Sequence, residues 1–307
     1  MGKSLKNVTF ISLLKDNEDD TGLLVNYLKK KNLNFNHIIS DGSKKSQRKL
    51  FKDLKNPFLK YYYFGYDNSY LDLYKKIKKS LNKVNTKYTY FLDQGDYINF
   101  KVLNSAIKLM EKNKNYSCCI GKVYNFKIIK NQIVLISELY KEKIIYKKKY
   151  FQRIINNFHM RSYHALHKTK ILKKSISIIT NLKVEEPRTA EFIIDTNNLI
   201  NGNMYVLKNT MLLHNASKPN KGKTSVNKKH DSRKIWYDTY LQKKFKKIFQ
   251  RLFRSNSLEI FNDKIKKFDI FFKKNDILVN TYKKNNLINR FRNRIKLMIF
   301  KKPNNTK

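Results

Sequence analysis

From residue 8 onward, short apolar runs alternate with stretches whose apolar residues recur every three or four positions. Val8-Thr9-Phe10-Ile11-Ser12-Leu13-Leu14 is short, apolar and partly β-branched, the pattern of a buried strand. Residues 20–32 carry Leu23, Leu24, Tyr27 and Leu28 at helical spacing. Asn36-His37-Ile38-Ile39-Ser40 is a second strand, closed by the turn Asp41-Gly42-Ser43. The pattern then predicts a lysine-rich helix through Leu50 and Leu54, a third strand over 60–64, and a helix over 69–83 with Leu73, Ile77 and Leu81 on one face. Tyr88-Thr89-Tyr90-Phe91-Leu92 is a fourth strand, ending at Asp93-Gln94-Gly95-Asp96, and Leu103, Ile107 and Met110 stripe a helix over 100–112. Strand and helix alternating at this spacing require βαβ crossovers, hence an α/β fold with a mainly parallel sheet and helices on both faces.

After residue 116 the rhythm changes. Residues 117–139 read as two or three strands with a hairpin tip at Lys130-Asn131-Gln132, and 148–158 and 189–201 read as helices. Met211-Leu212-Leu213-His214 is an apolar strand. Residues 217–231 are mostly Lys, Asn, Ser and Gly, a polar linker. The chain therefore divides into a folded domain over 1–216, a linker over 217–231 and a tail over 232–307. The tail holds 22 Lys/Arg against 5 Asp/Glu, and Phe245, Ile248, Phe249 and Leu252 share one helical face flanked by lysines. Residues 291–300 repeat the idea. Such a segment either lies on an anionic membrane surface, each basic residue adding about 1 kcal/mol there, or packs on the folded domain.

Charge enlarges the picture without deciding it. The sequence has 67 Lys+Arg against 23 Asp+Glu, a net charge of +44, which favours polyanions. The residues in excess (Lys, Asn, Ile, Tyr, Phe) are those of A/T-rich codons, so charge alone assigns no partner. Cys118 and Cys119 are adjacent, form no disulfide framework or metal knuckle, and read as small buried residues in a reducing compartment. The first residues lack the apolar core of a signal peptide, and no window approaches 18 uncharged apolar residues. A cytoplasmic protein, peripheral on the membrane through its tail, is expected.

Open parallel sheets bind ligands at the carboxyl ends of their strands. There the chain places Lys15 and Asn17 after strand one, Asp41-Gly42-Ser43 after strand two, and Asp93 and Asp96 after strand four. A carboxylate after strand two can accept hydrogen bonds from a base or ribose, and carboxylates after strand four can hold Mg²⁺ or Mn²⁺ against a diphosphate. Ile38-Ile39-Ser40-Asp41-Gly42-Ser43 resembles the VVDDGS segment of family 2 glycosyltransferases, and Tyr90-Phe91-Leu92-Asp93-Gln94-Gly95-Asp96-Tyr97-Ile98 resembles their FLDSDDYI segment. The resemblance covers roughly residues 7–215. It implies a GT-A fold and transfer of a sugar from a nucleoside-diphosphate donor, a UDP-sugar above all, to a glycan or lipid-linked acceptor with inversion, as in surface polysaccharide synthesis. It places Asp41, Ser43, Lys75 and Asp93 at the nucleotide and Asp96 at a divalent cation. The sequence departs from it at Gly95, where the family carries its central metal-binding aspartate, which leaves Asp93 and Asp96 to share a cation or Lys75 and Lys76 to neutralise the diphosphate.

The resemblance also puts the general base in a helix after the acceptor segment, where Glu191 stands, with Glu185, Glu186 and Asp195 as rivals. His214 falls where related enzymes place a metal-contacting histidine. Tyr163 and His164 fall in the acceptor region, and His164 with His167 at i and i+3 also has the spacing of a metal pair on a helix. Two other functions compete. One is a catalytically inactive scaffold, suggested by Gly95. The other is a basic nucleic-acid-binding protein, for which no helix-turn-helix, RRM, KH or zinc-finger string is present.

Overall fold

The computed structural model describes residues 3–31, 35–54, 56–129, 132–138 and 162–215. The helix anticipated at 148–158, the linker and the basic tail lie outside the described residues. In chain order the elements are β1 (Val8–Leu14), α1 (Glu18–Lys31), β2 (Asn36–Asp41), β3 (Leu59–Tyr63), α2 (Tyr70–Asn82), β4 (Tyr88–Phe91), β5 (Tyr97–Ile98), α3 (Phe100–Lys112), β6 (Tyr116–Ile129), β7 (Gln132–Glu138), β8 (Leu166–Lys168), α4 (Thr169–Asn181), α5 (Pro187–Asn201) and β9 (Asn203–Asn215). The strands join one sheet in the order β3-β2-β1-β4-β8-β6-β9-β5, with β7 paired to β6. β3, β2, β1 and β4 are parallel. Beyond β4 the sheet is mixed: β8 runs antiparallel to β4 and β6, β9 parallel to β6, and β5 antiparallel to β9.

All seven residues of β1 are buried, so its two faces must both be covered. Phe10 looks toward Phe35 and Phe100, with ring centroids 4.2 and 6.0 Å away, which puts α3 on that face. Tyr27 of α1 stacks on Phe100 on the same side. Residues of opposite parity look the other way: Ser40 takes the Ser80 hydroxyl of α2 at 2.8 Å, and Thr89 meets Thr169 of α4 at 2.9 Å. The Ser12 hydroxyl donates to the Leu92 carbonyl and stands 2.9 Å from His37 Nε2.

Two elements differ from the sequence reading. The helix expected through Leu50 and Leu54 is a single 3-10 turn, Arg48–Phe51. Only Phe51 of that turn is buried, and one anchor followed shortly by Asn56-Pro57 supplies no apolar stripe to hold a longer helix. Conversely, α4 was not anticipated, because its Ile- and Ser-rich run has a strand-like composition. Leu172, Ile176 and Ile179 are nevertheless buried at helical spacing. Cys118 and Cys119 are buried free thiols. Among the described residues, no helix is long and apolar enough to cross a membrane.

Candidate active site at the carboxyl edge of the parallel strands

β1 lies between β2 and β4, so the direction of chain crossover reverses there, and a crevice opens outside the strand ends. The loops after these three strands are tied together. The Lys15 amide donates to Gln94 Oε1 at 2.8 Å, and Gln94 Nε2 donates to the Asn17 carbonyl at 3.2 Å. The Asp16 amide donates to Ser43 Oγ at 3.0 Å, and the Lys44 amide to Asp16 Oδ1 at 2.8 Å. Asp41, Asp93 and Asp96 therefore share one rim.

On the β2 side Asp41 is wholly buried, and both its oxygens are taken. Oδ1 accepts from the Ser43 amide at 2.9 Å; Oδ2 accepts from the Gln47 amide at 2.9 Å and from the Tyr61 hydroxyl. Gly42 is required by its neighbours, since a Cβ there would run into the Asp67 carboxylate and the Lys76 ammonium. Those two groups form a buried ion pair at 2.5 Å, and Lys76 also donates to the Leu14 carbonyl at 3.1 Å. Burial lowers the Lys76 pKa and raises that of Asp67, each opposed by the partner's charge. Lys75, the lysine expected at the nucleotide, is exposed and pairs with Asp72 at 3.5 Å on the surface of α2. Lys76 is the lysine at the rim. Lys15 and Lys44 stand over the Tyr66 ring, 5.0 and 5.4 Å from its centroid.

On the β4 side the chain turns tightly, with the Asp96 amide donating to the Asp93 carbonyl at 3.2 Å. Gly95 has φ +82°, a left-handed conformation that favours glycine. A Cβ there would stand 2.8 Å from Asn215 Nδ2 and 3.3 Å from Asp20, so the aspartate that the resembled motif carries at this position would have to displace Asn215 and adopt a strained backbone. Asp96 is buried and accepts the Asn215 amide at 2.9 Å, with His214 Nδ1 at 3.1 Å. The antiparallel register Tyr97↔Leu213 is what brings the end of β9 to this turn. Tyr163 stacks on Phe91, centroids 5.0 Å apart, and its hydroxyl lies 3.4 Å from Asp93 Oδ1. His164 follows, its ring 5.1 Å from that of His214. One ligand atom each from Asp93, Asp96 and His164 lies within 4.8 Å of the others. Burial, then the Asp96 charge, raises Asp93 to about 7, against the pull of His214, Tyr163 and Lys76. Burial opposes charge on His214, but the hydrogen bond and charge of Asp96, with Asp93 behind it, raise it to about 9.

His214 thus reaches Asp96 as an ion pair, while His164, foreseen at the acceptor, joins the carboxylate cluster. The His164/His167 metal pair does not form, because 162–164 is a 3-10 turn followed by a strand rather than a helix. His167 is buried elsewhere, its Nδ1 3.2 Å from Asn198 Nδ2, and burial lowers it to about 4. Glu191 is half-buried in the second turn of α5, and its charge is among those that raise Tyr70, Tyr74 and Tyr163. Asp195, a rival for the base, is buried and engaged by Ser162. Gln94 and Asn215 went unforeseen. Asn215 adjoins His214 in sequence, but only strand pairing shows that it meets Asp96.

A parallel core in the order β3-β2-β1-β4, a mixed second half and an acidic turn at the switch point make this the GT-A fold of nucleotide-sugar glycosyltransferases. Over 68% of its length the chain superposes on the crystal structure of S. aureus TarS, a GT-A glycosyltransferase, with a TM-score of 0.51 and 15% identity, spanning 36% of that chain. It also aligns with TarS 1–349 in complex with UDP (TM-score 0.48, 18% identity, 68% of this chain and 60% of that one) and with UDP-GlcNAc (0.46, 16%, 69% and 59%). No protein-family model matches the chain, and no curated protein does.

Proposed function

We propose that this chain is a glycosyltransferase that takes a sugar from a nucleoside-diphosphate donor, a UDP-sugar in the first instance, and holds the diphosphate through a divalent cation at Asp93, Asp96 and His164. The observation that carries this reading is the approach of those three donor atoms to within 4.8 Å at the switch-point crevice. Two carboxylates and an imidazole are oxygen and nitrogen donors suited to Mn²⁺ or Mg²⁺, and His164 supplies the third donor that Gly95 cannot. A cation bound there supplies positive charge to the departing diphosphate. Lys15 and Lys44 flank Tyr66 at the same rim, adding charge for the nucleotide. Asp41 contributes by fixing the loop that carries Ser43.

Glu191 takes the proton of the acceptor hydroxyl as that oxygen bonds to the anomeric carbon and the carbon–diphosphate bond breaks, an in-line displacement that inverts the centre. Tyr163, between Asp93 and the reach of Glu191, borders the acceptor. A glycan or lipid-linked acceptor in surface polysaccharide synthesis fits a cytoplasmic enzyme whose basic tail rests on an anionic leaflet. Its lysines then serve lipid rather than nucleic acid.

Thermal-shift screening against UDP-, GDP-, CMP- and dTDP-sugars, with and without Mn²⁺, tests this. A shift of several degrees with one donor class, dependent on Mn²⁺ and lost in Asp96→Asn, is expected. No shift with any nucleotide, together with a salt-sensitive RNA mobility shift, would overturn it. Gly95 favours a second reading, an inactive scaffold. Donor hydrolysis in the presence of Mn²⁺ separates the two, since a scaffold binds without turnover.

A further inference from the structure

Tyr163 and His164 reach the carboxylate cluster from the turn Ser162–His164, which has little regular structure of its own. The turn is anchored from beneath. Asp195, in the middle of α5, accepts the Ser162 amide at 2.7 Å and the Ser162 hydroxyl at 2.5 Å, both on Oδ1. Asn198, one helical turn on, donates to Ser162 Oγ at 3.1 Å and lies 3.2 Å from Nδ1 of His167 in the middle of β8. Ser162, Asn198 and His167 are at most 1% exposed, and Asp195 6%. A carboxylate in such surroundings is costly and is tolerated where strong donors converge on it. This one spends two of its hydrogen bonds on the residue that precedes the Tyr163-His164 pair. Cys118, opposite His167 on β6, registers the charge: its thiol is raised by burial, then by Cys119, then by Asp195.

We infer that Asp195 is a positioning residue for cation binding: through Ser162 it fixes the turn that aims His164 at Asp93 and Asp96 and Tyr163 at Asp93. The inference rests on the cation reading of the site given above. It assigns to α5 two separate duties. Glu191 belongs to the acceptor side, and Asp195, one turn further on, acts only through the turn it holds. Partners of this indirect kind change metal affinity by about 10- to 100-fold when lost. Asp195→Asn keeps an oxygen acceptor for Ser162, whereas Asp195→Ala removes it.

Mn²⁺ binding to the full chain, followed by isothermal titration and by the electron paramagnetic resonance signal of free Mn²⁺, tests the inference at a temperature where every variant is folded by circular dichroism. Asp195→Ala is expected to weaken Mn²⁺ at least tenfold, Asp195→Asn to restore most of the affinity, and Ser162→Ala, which keeps the amide donor, to fall between. In the histidine ring region of the NMR spectrum, His164 (identified by His164→Ala) is expected to shift in Asp195→Ala even without metal. If Asp195→Ala does not fold, the Mn²⁺ affinity and the His164 resonance of Ser162→Ala, each compared with the wild type, decide alone. Mn²⁺ affinity unchanged in a folded Asp195→Ala or Ser162→Ala, while His164→Ala weakens it, overturns this inference and leaves the proposed function standing. Failure of the wild-type chain to bind Mn²⁺ overturns both.

Discussion

Two acidic sites sit on the same edge of the sheet and behave differently. Asp41, at the end of β2, is sealed: its oxygens accept two backbone amides and a tyrosine hydroxyl. Asp93 and Asp96, after β4, are close enough to disturb each other; His214 pairs with Asp96, and a His164 nitrogen lies within 4.8 Å of both. The same side chain at neighbouring strand ends thus becomes a clasp in one place and, in the proposed function, a cation ligand in the other. The donors decide which. Fixed dipoles surround the first carboxylate, whereas the second faces a histidine whose charge depends on its proton.

The comparison can be broken by substitutions at either end. Asp41→Ala strands several buried donors and is expected to cost about 3 kcal/mol of stability, read as a lower urea midpoint. Asp96→Asn is expected to cost less stability but about 100-fold in Mn²⁺ affinity, or ~2.7 kcal/mol. If Asp41→Ala proved stable and instead abolished nucleotide binding, the clasp assignment would fall.

Acid sharpens the contrast between rim and core. Burial lowers His37 to about 3, and the ring is neutral beside Ser12. A depressed folded-state pKa means stability that is present above the unfolded value of about 6.5 and lost as pH falls toward 3. From pH 7 to pH 4 this loss is on the order of 3 kcal/mol, and His167 adds to it in the same direction. Urea unfolding at the two pH values measures it. His37→Leu is expected to flatten the slope, because Ser12 keeps its bond to the Leu92 carbonyl. Smallest is Gly95→Ala, expected to cost about 1–2 kcal/mol through the left-handed backbone alone, with Asn215 displaced besides.

Most of the parallel core was legible because its strands are continuous apolar runs and its helices carry clean stripes. β1 and α3 follow directly from spacing. The 44–58 segment misled because lysines with two leucines imitate a stripe, although Leu50 is exposed. The rim carboxylates were legible from their place after strands. Their partners were not, since strand pairing over more than a hundred residues brings Asn215 to Asp96. The Lys75/Lys76 choice turned on one residue of helical phase. Lys76 lies next to Ile77 and one turn before Ser80, both buried, while Lys75 points to solvent.

The most direct test is a calorimetric titration of UDP into the full chain with saturating Mn²⁺ and with EDTA, for the wild type and His164→Ala. Binding that requires Mn²⁺ and weakens at least tenfold in His164→Ala is the expected result. UDP binding of equal strength with EDTA, or untouched by His164→Ala, would contradict a cation held by Asp93, Asp96 and His164.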